Sequence, residues 1–228
     1  DELRSSLKSA TSRAAQFALH EKIAALHFFD PACGCGNFLV IAYRELRRLE
    51  MDLIAKLYKT DLRDTLGAIA TYQKVSINQF FGIEIEEHAC EIAKTALYIT
   101  DHQMNREAES RFGKARPTIP LHDIPHITCA NALTTDWATV LPPQDCHYII
   151  GNPPFVGKNK QTPAQKQEMA AIAGSLKNSG VLDYVAAWYL KAADYMAHNR
   201  QIAAALVSTN SITQGEQAAV LWQPLFAR

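Results

Sequence analysis

The stretch Phe28-Phe29-Asp30-Pro31-Ala32-Cys33-Gly34-Cys35-Gly36-Asn37-Phe38-Leu39 limits what this chain can become more than any other. The aromatic pair reads as the end of a buried strand, and an acid stands where the strand stops. A turn with two glycines follows, and Phe38-Leu39-Val40-Ile41 opens an amphipathic helix. Strand, glycine turn and helix bring backbone close to a nucleoside, because glycine has no Cβ and tolerates positive φ. The acid narrows the ligand further. A phosphate cradle uses N–H groups and a helix N-terminus with no anion beside it. Asp30 would repel a pyrophosphate but could hold the cationic methionine end of S-adenosylmethionine. On that chemistry the loop prefers S-adenosylmethionine to a dinucleotide or ATP.

A lone G-x-G after a strand is more often a plain turn. What changes the odds is a second motif, Asn152-Pro153-Pro154-Phe155, behind a second apolar run, Cys146-His147-Tyr148-Ile149-Ile150-Gly151. Between and around the two, the chain alternates strands with helical patterns, which predicts an α/β fold with a parallel sheet and crossover helices. Residues 1–20 read as one helix. Residues 37–59 are an amphipathic helix, with Leu39, Ala42, Tyr43, Leu46, Leu49, Leu53 and Leu57 three and four apart. Its charges Arg44, Glu45, Arg47, Arg48 and Glu50 are expected on the solvated face. An excursion with a short helix fills 60–78, and Gln79–Ile85 is a second strand ending in an acid, Glu84. A helix over 86–104 is followed by a proline-punctuated loop over 105–125. His126–Leu133 reads as a third strand with its tip at Asn131, and 156–180 as a mobile polar loop with one short helix. Residues 181–199 (helix), 201–208 (strand) and 215 onward (helix) complete the pattern.

At 228 residues the chain is long enough for one large domain with its own core. Its 23 basic and 23 acidic residues balance, so a strongly basic nucleic-acid face is not a property of the whole. Lys158, Lys160, Lys166, Lys177, Lys191, Arg200 and Arg228 outnumber Glu168, Asp183, Asp194 and Glu216 after residue 152. That half is mildly basic. The five cysteines (Cys33, Cys35, Cys90, Cys129, Cys146) form no C-x-x-C pair and no zinc spacing. No metal site is therefore expected, Cys129 and Cys146 are expected in the core, and a reducing cytoplasm is the expected compartment. His88, His102, His122 and His126 are scattered along the helix and loop and are expected at the surface. No apolar run is long enough for a membrane span.

The two motifs, in the order cofactor loop then Asn152-Pro153-Pro154-Phe155, resemble the N6-adenine DNA methyltransferases of the gamma class. Gly151-Asn152-Pro153-Pro154-Phe155-Val156-Gly157 and Val181-Leu182-Asp183-Tyr184-Val185-Ala186-Ala187-Trp188-Tyr189 are closer still to the MmeI-like restriction–modification enzymes. In those single chains a nuclease, a methyltransferase and a target-recognition domain are fused. The resemblance covers roughly residues 26 to 220. It implies a Rossmann-like class I S-adenosylmethionine-dependent methyltransferase fold, a mostly parallel sheet with helices on both faces. A helical segment over 1–25 and a catalytic domain over 26–228 are expected. Family members carry a further cofactor motif before the first strand and a closing hairpin after the fifth. The resemblance therefore implies a piece incomplete at both ends, its C-terminal strands truncated and one sheet edge exposed.

The family's roles carry over onto matching residues. Asp30, Pro31, Ala32, Cys33, Gly34, Gly36, Asn37 and Phe38 would form the cofactor loop. Glu84 would bind the ribose, with Ile85 against the adenine ring. Asn131 and Ala132 would flank the adenine, although relatives usually carry Asp where this chain has Asn131; the amide oxygen can still accept from the cofactor's amine. Asn152, Pro153, Pro154 and Phe155 would be the catalytic loop. The Asn152 side-chain oxygen and the Pro153 carbonyl would accept the two N–H bonds of the target amine. The prolines stiffen the loop, and Phe155 would stack on an adenine flipped out of double-stranded DNA. Asp183 and Tyr184 are expected to serve packing. The same loop also occurs in methyltransferases of protein glutamine and of RNA base amines, and a non-catalytic nucleotide-binding module is the third possibility. The wording of the cofactor loop favours DNA.

Overall fold

The computed structural model describes residues 2–58, 72–113 and 124–226. Five strands form one sheet: β1 (Phe28–Asp30), β2 (Phe80–Glu84), β3 (His126–Cys129), β4 (Tyr148–Gly151) and β5 (Ala203–Leu206), in the order β3-β2-β1-β4-β5. Every neighbouring pair is parallel. Among the described residues the α-helices are α1 (Glu2–Ser9), α2 (Arg13–Ala25), α3 (Asn37–Leu57), α4 (Glu87–Phe112), α5 (Pro163–Ala173), α6 (Ala186–Met196) and α7 (Gly215–Phe226).

Side chains alternate across a strand, so each face of the sheet collects its own core. Phe28 pairs with Phe80 on one side and Tyr148 on the other, and the three rings stack at 5.0 and 5.2 Å. On this face they join buried residues of α1 to α4, among them Leu7, Ile23, Leu53 and Leu97. The opposite face gathers Phe29, Ile83 and Ile149 with Trp137, α5, α6 and α7. The expected sheet with helices on both faces is what forms.

The chain winds outward from β1 to β2 and β3, then returns to place β4 on the other side of β1. That reversal opens a crevice at the C-terminal ends of β1 and β4, where open α/β sheets bind their ligands. Asp30 ends β1 and Gly151 ends β4.

Several expectations need correction. Residues 1–20 form two helices, because the Ser12 side chain accepts the Ala15 N–H at 3.2 Å and starts a second. The helix expected to stop at 104 runs to Phe112 and ends at Gly113 in the left-handed region (φ 82°). Residues 105–112 are thus not loop, while Pro117, Pro120 and His122 lie outside the described residues, as does 59–71 of the expected excursion. The third strand closes at Cys129, and Asn131 follows in a turn. Cys129 is exposed, since β3 is a terminal strand covered on fewer sides, whereas Cys146 is buried as expected. His88, His102 and His126 are exposed.

The largest correction concerns α3. Arg47 and Glu50 are 0 % exposed, not solvated. Arg47 Nη1 donates to Asp101 Oδ1 at 3.1 Å and to the Tyr43 hydroxyl at 2.8 Å, and Nη2 donates to Asn105 Oδ1 at 3.0 Å. Glu50 Oε1 accepts the backbone N–H groups of Lys74 and Val75 at 2.6 and 3.0 Å and lies 3.1 Å from His20 Nε2. Helix α3 is packed between α2 and α4, so a residue opposite its sheet-facing side meets another helix rather than water.

No described helix is long and apolar enough to cross a membrane, and the described residues hold no cluster of three or more His, Cys, Asp or Glu placed for a metal.

Candidate active site

A cavity of about 390 Å3 lies at the C-terminal crevice of the sheet. That volume falls among small-molecule sites, roughly 300–1,000 Å3. Its walls bring together Pro31, Ala32 and Gly34 of the glycine turn, Glu84 and Ile85 at the tip of β2, and Asn131 and Ala132 after β3. Asn152 and Pro154 close one end. Residues separated by more than a hundred positions thus meet at one place because four strands end there.

The glycine turn is pinned from several sides. Gly36 sits at φ +83°, and a Cβ there would lie 3.1 Å from the Ala93 Cβ of α4, so the turn packs directly on that helix. The Cys33 N–H donates to Ile83 O at 3.0 Å, and Trp188 Nε1 donates to Pro31 O at 3.0 Å from the opposite face. The Cys33 thiol is turned into the wall toward Gly82 and away from the cavity. Burial raises its pKa well above the ordinary thiol value, so it stays protonated and unreactive. Asn37 and Phe38 are exposed in the first turn of α3, and neither they nor Gly36 line the cavity.

Glu84 links turn to strand. Its Oε2 accepts the Gly34 N–H at 2.9 Å, and Oε1 accepts those of Ile85 and Glu86 at 2.9 and 3.0 Å. Carboxylate oxygens carry further lone pairs, so a ligand diol can still donate to it. Ile85 is 60 % exposed beside it, a free apolar face for a flat ring.

Asp30 lies beneath the cavity rather than in its wall, 1 % exposed. Its Oδ1 accepts the Ala32 N–H at 3.0 Å, while Oδ2 meets no donor among the described residues. A Cβ on Gly151 would lie 2.5 Å from Oδ1, so only glycine at the end of β4 admits this carboxylate. Burial pushes the carboxyl up to about 7; the Ala32 N–H opposes the rise and the charge of Glu84 adds to it. A buried acceptor without a donor is what a cationic ligand group would satisfy.

In the loop after β4 Asn152, Pro154 and Phe155 are exposed, Phe155 by 47 %, while Pro153 is buried and outside the cavity wall. The chain beyond is held by backbone bonds: Tyr184 N–H to Val156 O at 2.9 Å, and Lys158 N–H to Asp183 Oδ1 at 2.8 Å.

Sequence reasoning missed part of the wall. Ile83, Ala130, Gln165 and Trp188 line it, and so does Tyr184, which was assigned to packing. Tyr184 is indeed buried, but its hydroxyl donates to Glu168, whose other oxygen accepts from Asn131 Nδ2 at 2.5 Å. Burial, and then the Glu168 carboxylate, hold the tyrosine pKa above its ordinary value and keep it a donor. The available signal was the capping pair Thr162 and Gln165, which starts α5 and aims one of its faces at the cavity.

Residues 7–228 match the family model described as the MmeI DNA-methyltransferase domain. The chain is 45 % identical over 208 residues to DNA methyltransferase A of Bacillus subtilis (strain 168), covering 90 % of this chain and 23 % of that protein. The solved type IIL restriction–modification enzyme MmeI, in complex with DNA, superposes with a TM-score of 0.95 at 49 % identity. That match covers all of this chain and 30 % of that one. A nuclease-deletion mutant of the type ISP restriction–modification enzyme LlaGI, with a DNA substrate mimic, shares the fold (TM-score 0.52, 17 % identity, 87 % and 17 % of the two chains). The chain thus spans under a third of the length of the first two relatives, and it belongs to the family of MmeI DNA-methyltransferase domains.

Proposed function

We propose that this chain transfers a methyl group from S-adenosylmethionine to the N6 amine of an adenine flipped out of double-stranded DNA, as the catalytic part of a cytoplasmic restriction–modification protein. In this reading residues 26–228 are the catalytic unit and 1–25 a helical segment packed on it. Target-recognition domains, with or without a nuclease, would act with it. The observation that carries the reading is that Asn152, after β4, shares one cavity with Glu84 and the glycine turn.

The residues fit the cofactor. The unpartnered Asp30 Oδ2 suits its cationic methionine end, Glu84 its ribose hydroxyls, Ile85 and Ala132 its flat ring, and Asn131 the amine at the ring's edge. When bound, S-adenosylmethionine supplies an electrophilic methyl group. The chain's own part is to make the adenine amine a nucleophile. That nitrogen's lone pair is delocalised into the ring. Asn152 Oδ1 and the Pro153 carbonyl, each accepting one N–H, draw the nitrogen toward sp³ and aim its lone pair into the cavity. Once the amine has taken the methyl group, its surplus proton would leave along the hydrogen bond to Asn152 Oδ1 or the Pro153 carbonyl and pass to solvent. Phe155 stacks on the extruded base, and positioning supplies much of the rate.

The test offers the full-length protein and methyl-labelled cofactor to DNA, RNA and protein in parallel. Label should appear in DNA as N6-methyladenine. Asn152→Ala should lower transfer by at least about a hundredfold, the order seen when one aligned acceptor or donor is removed, with cofactor binding kept. Label in RNA or protein only would refute DNA as the substrate.

A further inference from the structure

Glu168 is an acid without a cation. Among the described residues it forms no ion pair; its carboxylate instead accepts from two neutral donors, Asn131 Nδ2 at 2.5 Å and the Tyr184 hydroxyl. The three side chains come from separate parts of the fold: helix α5 after the catalytic loop, the turn after β3, and the turn before α6. Two of them, Asn131 and Tyr184, line the cavity. At the other end of the Asn131 amide, Oδ1 accepts the Leu133 N–H at 2.9 Å. Donor and acceptor at its two ends leave the amide one orientation: oxygen toward Leu133 N–H, nitrogen toward the carboxylate. Its oxygen retains a second lone pair for a donor in the cavity.

We propose that Glu168 is a positioning residue for the cofactor: braced by Tyr184, its carboxylate fixes the Asn131 amide so that the oxygen, and not the NH2, meets the amine of the cofactor's adenine. This rests on the proposed function and adds a specificity element to its site. A carboxylate at position 131 would need no such brace, since both its oxygens accept. An amide does, because reversed it would offer a donor to a donor. Glu168 thus makes Asn131 selective for a 6-amino purine over a 6-oxo purine, whose ring edge presents an acceptor there.

The test uses the full-length protein and calorimetric binding of S-adenosylhomocysteine and its 6-oxo counterpart, S-inosylhomocysteine. The unaltered protein should prefer the amine by about tenfold or more, and Glu168→Ala should shrink that preference to within about threefold, the scale of one lost hydrogen bond. Asn131→Asp alone would set two carboxylates against each other and weaken S-adenosylhomocysteine binding about tenfold. Adding Glu168→Gln should restore it to within about threefold, because glutamine's NH2 can donate to the new acid. A purely structural role would weaken both nucleosides alike and leave their ratio unchanged, while rescue by the paired exchange shows that the single variant's loss is not misfolding. Unchanged selectivity in Glu168→Ala, or an Asn131→Asp loss that Glu168→Gln does not rescue, overturns the role of Glu168 alone. Failure of the unaltered protein to bind either nucleoside overturns the cofactor reading with it.

Discussion

Two buried acids, Glu50 within α3 and Asp30 at the end of β1, meet opposite fates. Glu50 accepts two backbone N–H groups and faces His20, and its second oxygen has Arg47 Nε at 3.7 Å. Asp30 has the Ala32 N–H on one oxygen and nothing among the described residues on the other. Both are out of water, where an ionised carboxylate is expensive unless paired. The first is closed within a network that fastens α2, α3 and α4 together. The second keeps an unpaired oxygen beneath the cavity. Among the described residues Glu50 Oε2 also lacks a hydrogen bond, but a guanidinium stands 3.7 Å from it; Asp30 Oδ2 has neither a donor nor a cation.

The sharpest way to break this contrast is to remove a partner from the closed side. Arg47→Ala leaves Asp101 and Glu50 buried without their cation and should lower unfolding free energy by about 3–5 kcal/mol in urea titration. Replacing the whole cluster with apolar residues of similar volume should be far milder.

On the open side the effect appears as a pH dependence. The folded-state pKa of Asp30, about 7, lies above the ordinary 3.8, so between these values the folded chain holds a proton that the unfolded chain has released. This contribution to stability is complete below pH about 4 and is lost as pH rises, with a slope approaching about 1.4 kcal/mol per unit, until it levels off above about 7. Asp30→Asn should lack that part of the slope, read as the difference between variant and parent in denaturant titrations from pH 4 to 8. Cofactor affinity runs the other way: it should strengthen as pH rises through 7 in the parent and stay weak and flat in the variant.

The smallest expected effect concerns the bond between α6 and the glycine turn that follows Asp30. Trp188→Phe keeps the ring but removes its bond to Pro31 O. It should cost about 1 kcal/mol of stability and loosen the glycine turn, seen as faster hydrogen exchange there.

The parts of the molecule that could be read in its sequence are those whose cause is local. The glycine turn, the acids ending β1 and β2, and the strand before Asn152 each carry their signal within about a dozen residues. The burial of Arg47 and Glu50 depends instead on Asp101, Asn105 and His20, which only the packing of three helices brings near. The end of α4 was misplaced because prolines further on outweighed Gly113, whose left-handed cap is the real stop. The roof of the cavity was missed for a similar reason: Tyr184 reads as packing, Gln165 as part of a polar loop and Trp188 as one more helix residue until α5 and α6 are set beside Asn131.

The central pairing of β1 with β4 has a consequence in time as well as in space. His27 and His147, 120 residues apart in the chain, are hydrogen-bonded at 3.2 Å beside that pairing. Contacts so distant along a chain must overcome the entropy of closing a long loop before they yield anything, and such topologies fold slowly. During synthesis the ribosome would release β1 and the glycine turn well before β4. A nascent chain could therefore assemble its helical flank while Asn152 is still being made. A complete cavity would come late and all at once, with the docking of β4 against a β3-β2-β1 half that was already waiting.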